Sequence, residues 1–541
     1  MIPALTLFLL LQGTGAISGP GIQQTVIEGR VVSSLTSEVL PNSKLLLHSL
    51  SGSKAAVATT DRDGRFVFQG VEPGKYRLWA SLPGYVRGEY GARSTNRTGT
   101  IVSILAGHHL QNLEVRLTPY GTITGRVLDQ DSRTVSGMQV YSFRYNYSRR
   151  GRRLVPAWSA TTDEFGEYRL GDLIPGRYFI GAIYKRRAAT ATNGASATEA
   201  YVNTYFPSSD DLRGAIPIEI GPGAEFGGIN LILLRKPAVR VTGRVISRVT
   251  GNGERATVTM APQDGLAEYS LGTIVGVARQ SDGYFEVPNV PQGSYIISVE
   301  KKDANQRYFA RRILEVGKSE VAGVELVLGA GVKLVGTLKF DRPTDTSLAP
   351  TTTSVVLYPK ESGLATVTDM VDENGTFQFT DLAPGLYAID LSGVPGDYYV
   401  ESLLFEDTVV ADREINIPDG MKTGKLTIVL STGGGSLEGT VVDKRLNFRQ
   451  ATVVLVPEQH NRDWIYLCKT TTTDQYGQFV IRGIPPHEYR ILAWEDVEEG
   501  AYFEPDFVER FVRKSQTVRI SSGSRKVVHL QLIPSGEASG R

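Results

Sequence analysis

Cysteine is nearly absent from this chain: Cys468 is the one thiol in 541 residues. No intrachain disulfide can form, so buried apolar surface must hold the fold together. Histidine is scarce too. The six residues His48, His108, His109, His460, His487 and His529 never fall into H-x-x-E or H-E-x-x-H spacing, which removes a zinc site carried on one element. There is no G-x-S-x-G elbow, P-loop or dinucleotide fingerprint, and Gly433-Gly434-Gly435 lacks the Lys-Ser/Thr that a phosphate loop needs. The sequence thus offers no catalytic residue, no cofactor-binding residue and no metal ligand set. Charge of one sign is missing as well. With 58 basic against 57 acidic side chains the net charge is +1, which excludes a general attraction to nucleic acid. The one long apolar run, Ala4 to Leu11, ends in Gly13-Thr14-Gly15-Ala16. It reads as a secretory signal over residues 1–16, far short of the roughly 20 apolar residues of a spanning helix. The expectation is an extracytoplasmic chain, periplasmic or secreted, with no transmembrane segment apart from the signal.

Helical periodicity is the remaining absence, and what stands in its place is a repeat. Asp61-Arg62-Asp63-Gly64-Arg65-Phe66-Val67-Phe68, followed by Pro73-Gly74-Lys75-Tyr76, returns four more times. The turn glycines are Gly64, Gly166, Gly283, Gly375 and Gly477, and a tyrosine follows twelve positions later each time: Tyr76, Tyr178, Tyr295, Tyr387 and Tyr489. Asp at the first position of a type I turn with Gly three places on reverses the chain. Asp61, Asp163, Asp372 and Asp474 fit, whereas the third copy has Gln280, which predicts a variant turn. Alternation after the glycine (Phe66/Phe68, Tyr168/Leu170, Phe285/Val287, Phe377/Phe379, Phe479/Ile481) predicts a strand with one buried face and a hairpin. Pro-Gly at Pro73-Gly74, Pro175-Gly176 and Pro384-Gly385 suits the centre of a type II turn. The tyrosine then heads an inward row, and its buried hydroxyl needs a backbone partner.

An opening strand (Gly29-Arg30-Val31 and its counterparts), an apolar run such as Leu45-Leu46-Leu47, and a closing strand such as Leu113 to Leu117 complete each copy. Short strands, Gly/Pro turns and no amphipathic helix predict an all-β chain of five tandem antiparallel β-sandwiches, Ig-like or transthyretin-like. The expected boundaries are a signal at 1–16, sandwiches at 17–119, 120–236, 237–330, 331–433 and 434–534, and a tail at 535–541. This spacing is close to the roughly 100 residues of an immunoglobulin-sized sandwich.

The combination G-x-V, D-x-x-G-x-F and P-G-x-Y resembles the carboxypeptidase regulatory-like family, related to transthyretin-like and Cna-B-like sandwiches and grouped with carbohydrate-binding-like folds. The resemblance implies a non-catalytic module and makes carbohydrate the leading ligand class. The implied function is an exported binding or scaffold protein partnered by a polysaccharide or a cell-envelope protein. A structural stalk or adhesin segment, or an accessory to a peptidase or outer-membrane transporter, is the alternative. Candidate ligand-binding residues are the loop aromatics Tyr201, Tyr205, Phe206, Trp494, Tyr502 and Phe503, which could equally cap the sandwich ends. Charge is patchy. Copy two carries Arg144, Arg149, Arg150, Arg152 and Arg153 and then Lys185-Arg186-Arg187; copy five carries Glu495, Asp496, Glu498, Glu499, Glu504 and Asp506, so opposite ends of the chain, or neighbouring molecules, could attract one another. The carboxylates of the D-x-x-G turns are the one place where calcium could be sought.

Overall fold

The computed structural model describes residues 25–538 apart from 53, 96, 150, 185–198, 264–268, 270, 304–305, 342–351, 362, 395, 411 and 459–463. The expected signal at 1–16 and the Lys185-Arg186-Arg187 triplet lie outside the described residues.

The chain is all-β and forms five hydrophobic cores in sequence order, each lined by two sheets. In the first copy one sheet holds Val26–Ser33, Arg65–Gln69 and His109–Pro119, and the other holds Lys44–Ser49, Ala55–Thr59, Gly74–Ser81 and Val102–Ile104. Alternating residues of both, among them Ile27, Leu45, Leu47, Phe66, Phe68, Leu78 and Val115, meet in the core between them. The third copy departs from this plan: Gln306–Val316 pairs with Gly293–Asp303 and also touches the end of Val321–Ala330, which joins its two sheets into one.

The D-x-x-G turn is as the residue chemistry requires. Gly64, Gly166, Gly283, Gly375 and Gly477 all have φ between 66° and 74°. The Asp61 carboxylate accepts the amides of Asp63 (2.9 Å) and Arg65 (2.8 Å), and Asp163, Asp372 and Asp474 repeat both bonds. In the third copy the turn is one residue longer, closed by the Gly283 amide on the Arg279 carbonyl, and the Asp282 carboxylate accepts the Tyr284 amide (3.0 Å) and the Arg279 guanidinium (3.1 Å).

The hairpin is corrected. Arg65–Gln69 pairs with the opening strand, whereas Ala55–Thr59 and Gly74–Ser81 both pair within the opposite sheet. Both reversals are therefore arches from one sheet to the other, which is why the rows on either side of each turn face a common core. The Pro-Gly step is corrected too. Gly176 and Gly385 begin strands at φ of 155° and 151°, far from the value near +80° of a type II turn. The left-handed residue sits earlier, six places after the turn glycine: Gly70, Asp172, Asn289, Asp381 and Gly483, with φ from 50° to 67°. In copies two to five it lies in a β-bulge, as where Ile123 pairs with Leu170 but Gly121 with Leu173.

Among the described residues, isolated parallel bridges link Ile101 to Asp474 and Trp494 to Ile533, and the strands pair antiparallel except where, in each copy, the opening strand runs parallel to the closing strand. The glycine of G-x-V belongs to that contact. A Cβ on Gly29, Gly125, Gly243 or Gly439 would collide with the closing-strand carbonyl of Leu113, Ile229, Val324 or Val528, and at Gly336 with the Phe377 ring. In copy two the closing strand is split into Glu225–Phe226 and Leu231–Ile232.

Candidate functional site

The repeat tyrosines are structural pillars. Tyr76, Tyr178, Tyr295, Tyr387 and Tyr489 are all buried. Tyr76, Tyr178, Tyr387 and Tyr489 donate their hydroxyl to the carbonyl four residues earlier, at Glu72 (3.0 Å), Ile174 (2.6 Å), Ala383 (2.9 Å) and Pro485 (2.8 Å). This bond ties the second arch to the strand that leaves it. Burial makes the phenols of Tyr178, Tyr387 and Tyr489 reluctant to ionise; that of Tyr387 is pushed up to about 12, chiefly by desolvation.

The six candidate aromatics fall into two regions. Tyr205 is buried in a cluster with Phe143, Phe179 and Ile183 on the outer face of a copy-two sheet, and Tyr201 and Phe206 pack against the copy-two core. Trp494 and Tyr502 are buried with Val454, Leu492, Val508 and Phe511 on the outer face of a copy-five sheet, and Phe503 packs on that cluster. The Trp494 ring meets Phe511 edge-on at 5.6 Å, and Tyr502 meets Phe503 at 4.9 Å. Tyr205, Trp494 and Tyr502 are buried and Tyr201, Phe206 and Phe503 half-buried, so the six rings present no flat, fully exposed platform. Tyr141, Phe143, Tyr145 and Tyr147 lie on one strand, Gln139–Ser148. Cys468 belongs to the copy-five cluster, where burial pushes its thiol up to about 12. The turn carboxylates are occupied by backbone amides, and among the described residues no group of three His, Cys, Asp or Glu side chains could hold a metal.

The acidic segment of copy five finds basic partners in copy one. Arg93 pairs with Glu495 (2.8 Å) and Arg97 with Asp496 (2.7 Å). Beside them the Ile101 amide reaches the Thr473 carbonyl (3.3 Å), Ser103 hydrogen-bonds Asp474 (3.0 Å), and Gln475 exchanges two bonds with the Ser103 backbone at 2.9 and 2.7 Å. The edge of the first sandwich thus rests on the D-x-x-G turn of the last. The tip of the copy-two insertion also reaches copy five, with the Tyr147 backbone against Gly500. Arg93 and Arg97 are unremarked in a sequence reading because each is a single charge in a polar loop; the acid-rich run opposite is the visible half of the signal.

A second feature missed by the sequence lies between copies one and two. A cleft of about 780 Å³ is lined by Lys44, Ser81, Pro83 and Tyr85 of the first and Arg144, Pro156, Trp158 and Asp172 of the second. Trp158 is 46% exposed there, in contrast to the buried rings above.

The chain is similar to several known proteins at low sequence identity. The mouse protein "BOS complex subunit NOMO1" is 24% identical over 355 residues, a match spanning 63% of this chain and 26% of that protein. The chain thus spans about a quarter of the length of that curated relative. Among solved structures, the Bacillus anthracis TIE protein is 12% identical over 78% of this chain and 76% of its own (TM-score 0.17). The minor pilin GBS52 of Streptococcus agalactiae is 13% identical over 40% of this chain and 97% of its own (TM-score 0.23). Residues 26–118, the first of the five sandwiches, match the family model of the carboxypeptidase regulatory-like domain.

Proposed function

We propose that the chain is a non-catalytic, extracytoplasmic binding scaffold whose five sandwiches fold back so that the first docks on the fifth. The seam formed by Ile101, Ser103, Arg93 and Arg97 against Thr473 to Gln475, Glu495 and Asp496 carries this reading. A stalk has no use for contacts between its two ends, while a scaffold that presents a fixed surface gains rigidity from them. The non-catalytic half of the proposal rests on where the reactive side chains go. The lone thiol is buried, and the turn carboxylates are spent on backbone amides. No helix among the described residues is long and apolar enough to cross a membrane. The family resemblance makes carbohydrate the leading ligand class.

Small-angle scattering of the full chain tests the arrangement. A folded-back chain should give a radius of gyration of roughly 25–30 Å, while five sandwiches of about 30 Å set end to end would exceed about 40 Å. Arg97→Glu should open the seam and enlarge the particle, and adding Asp496→Arg should close it again. An extended particle in the unsubstituted protein would refute the folded-back scaffold and favour the stalk.

A further inference from the structure

Taking the binding reading above as given, we propose that the cleft between the first two sandwiches binds a short acidic oligosaccharide, one bearing carboxylate or sulfate groups, stacked on Trp158. The cleft's volume, about 780 Å³, falls within the range of sites that enclose small ligands. Its walls are Pro83, Tyr85 and Tyr120 on one side and Val155, Pro156 and Trp158 on the other. The Trp158 indole is left 46% exposed in this recess, a large flat apolar surface that a ligand can cover. Sugar rings carry flat C–H faces that match such a surface, with hydroxyls at the rim for the polar groups.

Local backbone geometry aims the indole. In the pairing of Gln139–Ser148 with Gly151–Thr161, Phe143 lies opposite Pro156 and Ser142 opposite Trp158, so Ala157 is an extra residue. This bulge moves Trp158 to the face shared by Ser142 and Arg144, the face on which Val140 enters the core. Arg144 approaches the Tyr178 hydroxyl from that face. Without the extra residue Trp158 would point with Phe143 into the outer cluster.

Charge decides the ligand's sign. Lys44 and Arg144 both line the cleft and have no ion pair among the described residues, whereas the one carboxylate lining it is Asp172. Two unneutralised cations against one carboxylate favour an anionic guest, and a guanidinium can grip a carboxylate or sulfate through two parallel hydrogen bonds. A peptide adding as a strand is disfavoured. The neighbouring edge strand, Gly151–Thr161, carries Pro156, which has no amide to donate, and the bulge beside it breaks the ladder.

The test is titration of the full chain with tetragalacturonate, maltotetraose and an acidic proline-rich peptide, followed by tryptophan fluorescence and calorimetry. We expect saturable binding of tetragalacturonate, weakened at least tenfold by Trp158→Ala and by paired Lys44→Ala/Arg144→Ala, and relieved by added salt. Trp158 is exposed, so its replacement should leave the thermal melt in place, and the melt is recorded for every variant. No saturable binding of tetragalacturonate or of a sulfated tetrasaccharide, or binding indifferent to Trp158→Ala, overturns the site. Tighter binding of maltotetraose or of the peptide overturns the ligand class. Scattering reports the folded-back arrangement separately, so a silent titration with a compact particle condemns the cleft alone.

Discussion

Replacing Tyr489 should weaken the fifth sandwich in two measurable steps. The ring is fully buried among Leu437, Val453, Phe479 and Ile491, and its hydroxyl donates to the Pro485 carbonyl at 2.8 Å. Tyr489→Phe keeps the ring and leaves a buried carbonyl without its donor, a loss of about 1–3 kcal/mol. Tyr489→Ala also empties an aromatic site, at about 3–5 kcal/mol, a large part of the roughly 5–15 kcal/mol that holds a domain folded. A melt of the whole chain would mix five transitions. The single cysteine provides a reporter, because Cys468 is buried in the same sandwich and its thiol is held up at about 12 by burial. In the native protein it should resist thiol reagents, and labelling should follow opening of the fifth sandwich. At about 1.4 kcal/mol per factor of ten, Phe should speed labelling about 5- to 150-fold and Ala by about 150-fold or more. If Phe leaves labelling unchanged and Ala speeds it less than about fivefold, the tyrosine is not the pillar argued for here.

Gly439→Ala should destabilise the same sandwich by about 1–3 kcal/mol, since its methyl would press on the Val528 carbonyl and the Phe479 ring; unchanged thiol labelling would refute the close parallel contact. The half-buried Lys469 has its ammonium lowered to about 8 by desolvation and by Arg149 and Arg413. Its charged form is disfavoured in the fold, so stability should rise with pH between about 8 and 10.5, and Lys469→Met should stabilise at pH 7 by on the order of 1–3 kcal/mol, read as slower Cys468 labelling. Tyr387 acts in the opposite sense. Its neutral form is favoured in the fold, so the fourth sandwich should hold its stability below pH 10 and lose it as pH rises from 10 toward about 12, and Tyr387→Phe should abolish that loss. An alkaline melt of the fourth sandwich that is the same with and without Tyr387→Phe would contradict the assignment.

What the sequence revealed and what it hid divide along a physical line. The turn glycines, the Asp carboxylates that cap amides and the buried tyrosines are all local chemistry, legible from residue type and spacing. Alternation of apolar residues says that one face is buried, but it cannot say which strand lies alongside. Two strands joined by a tight turn were therefore read as a hairpin, when the turn at Gly64 is an arch between sheets. The left-handed position six places after each turn glycine was available in principle, since Gly70, Asp172, Asn289, Asp381 and Gly483 are all residue types that tolerate it. The packing of the loop aromatics is hidden for a related reason. Loop sequence places Trp494 and Tyr502 near a sandwich end, but only the packed structure shows Val508 and Phe511 folding over them.

The five copies share an inner core and differ in what they build on its outside. Copies two and five each carry a second apolar cluster on an outer sheet face, the former extended by Tyr269 and Leu271 of the third sandwich. These are also the copies that meet each other through Tyr147 and Gly500, and copy five is the one that receives copy one. An outer cluster stiffens the sheet that bears it, and a stiff sheet can hold an insertion in one position. The Gln139–Ser148 strand illustrates the consequence: its outward residues Tyr141, Phe143 and Tyr145 anchor it to the cluster, while its inward residues Ser142 and Arg144 face the core and the Trp158 cleft. One strand thus serves packing with one face and the proposed ligand with the other, which is how a repeat whose motif is spent on folding can still acquire a site.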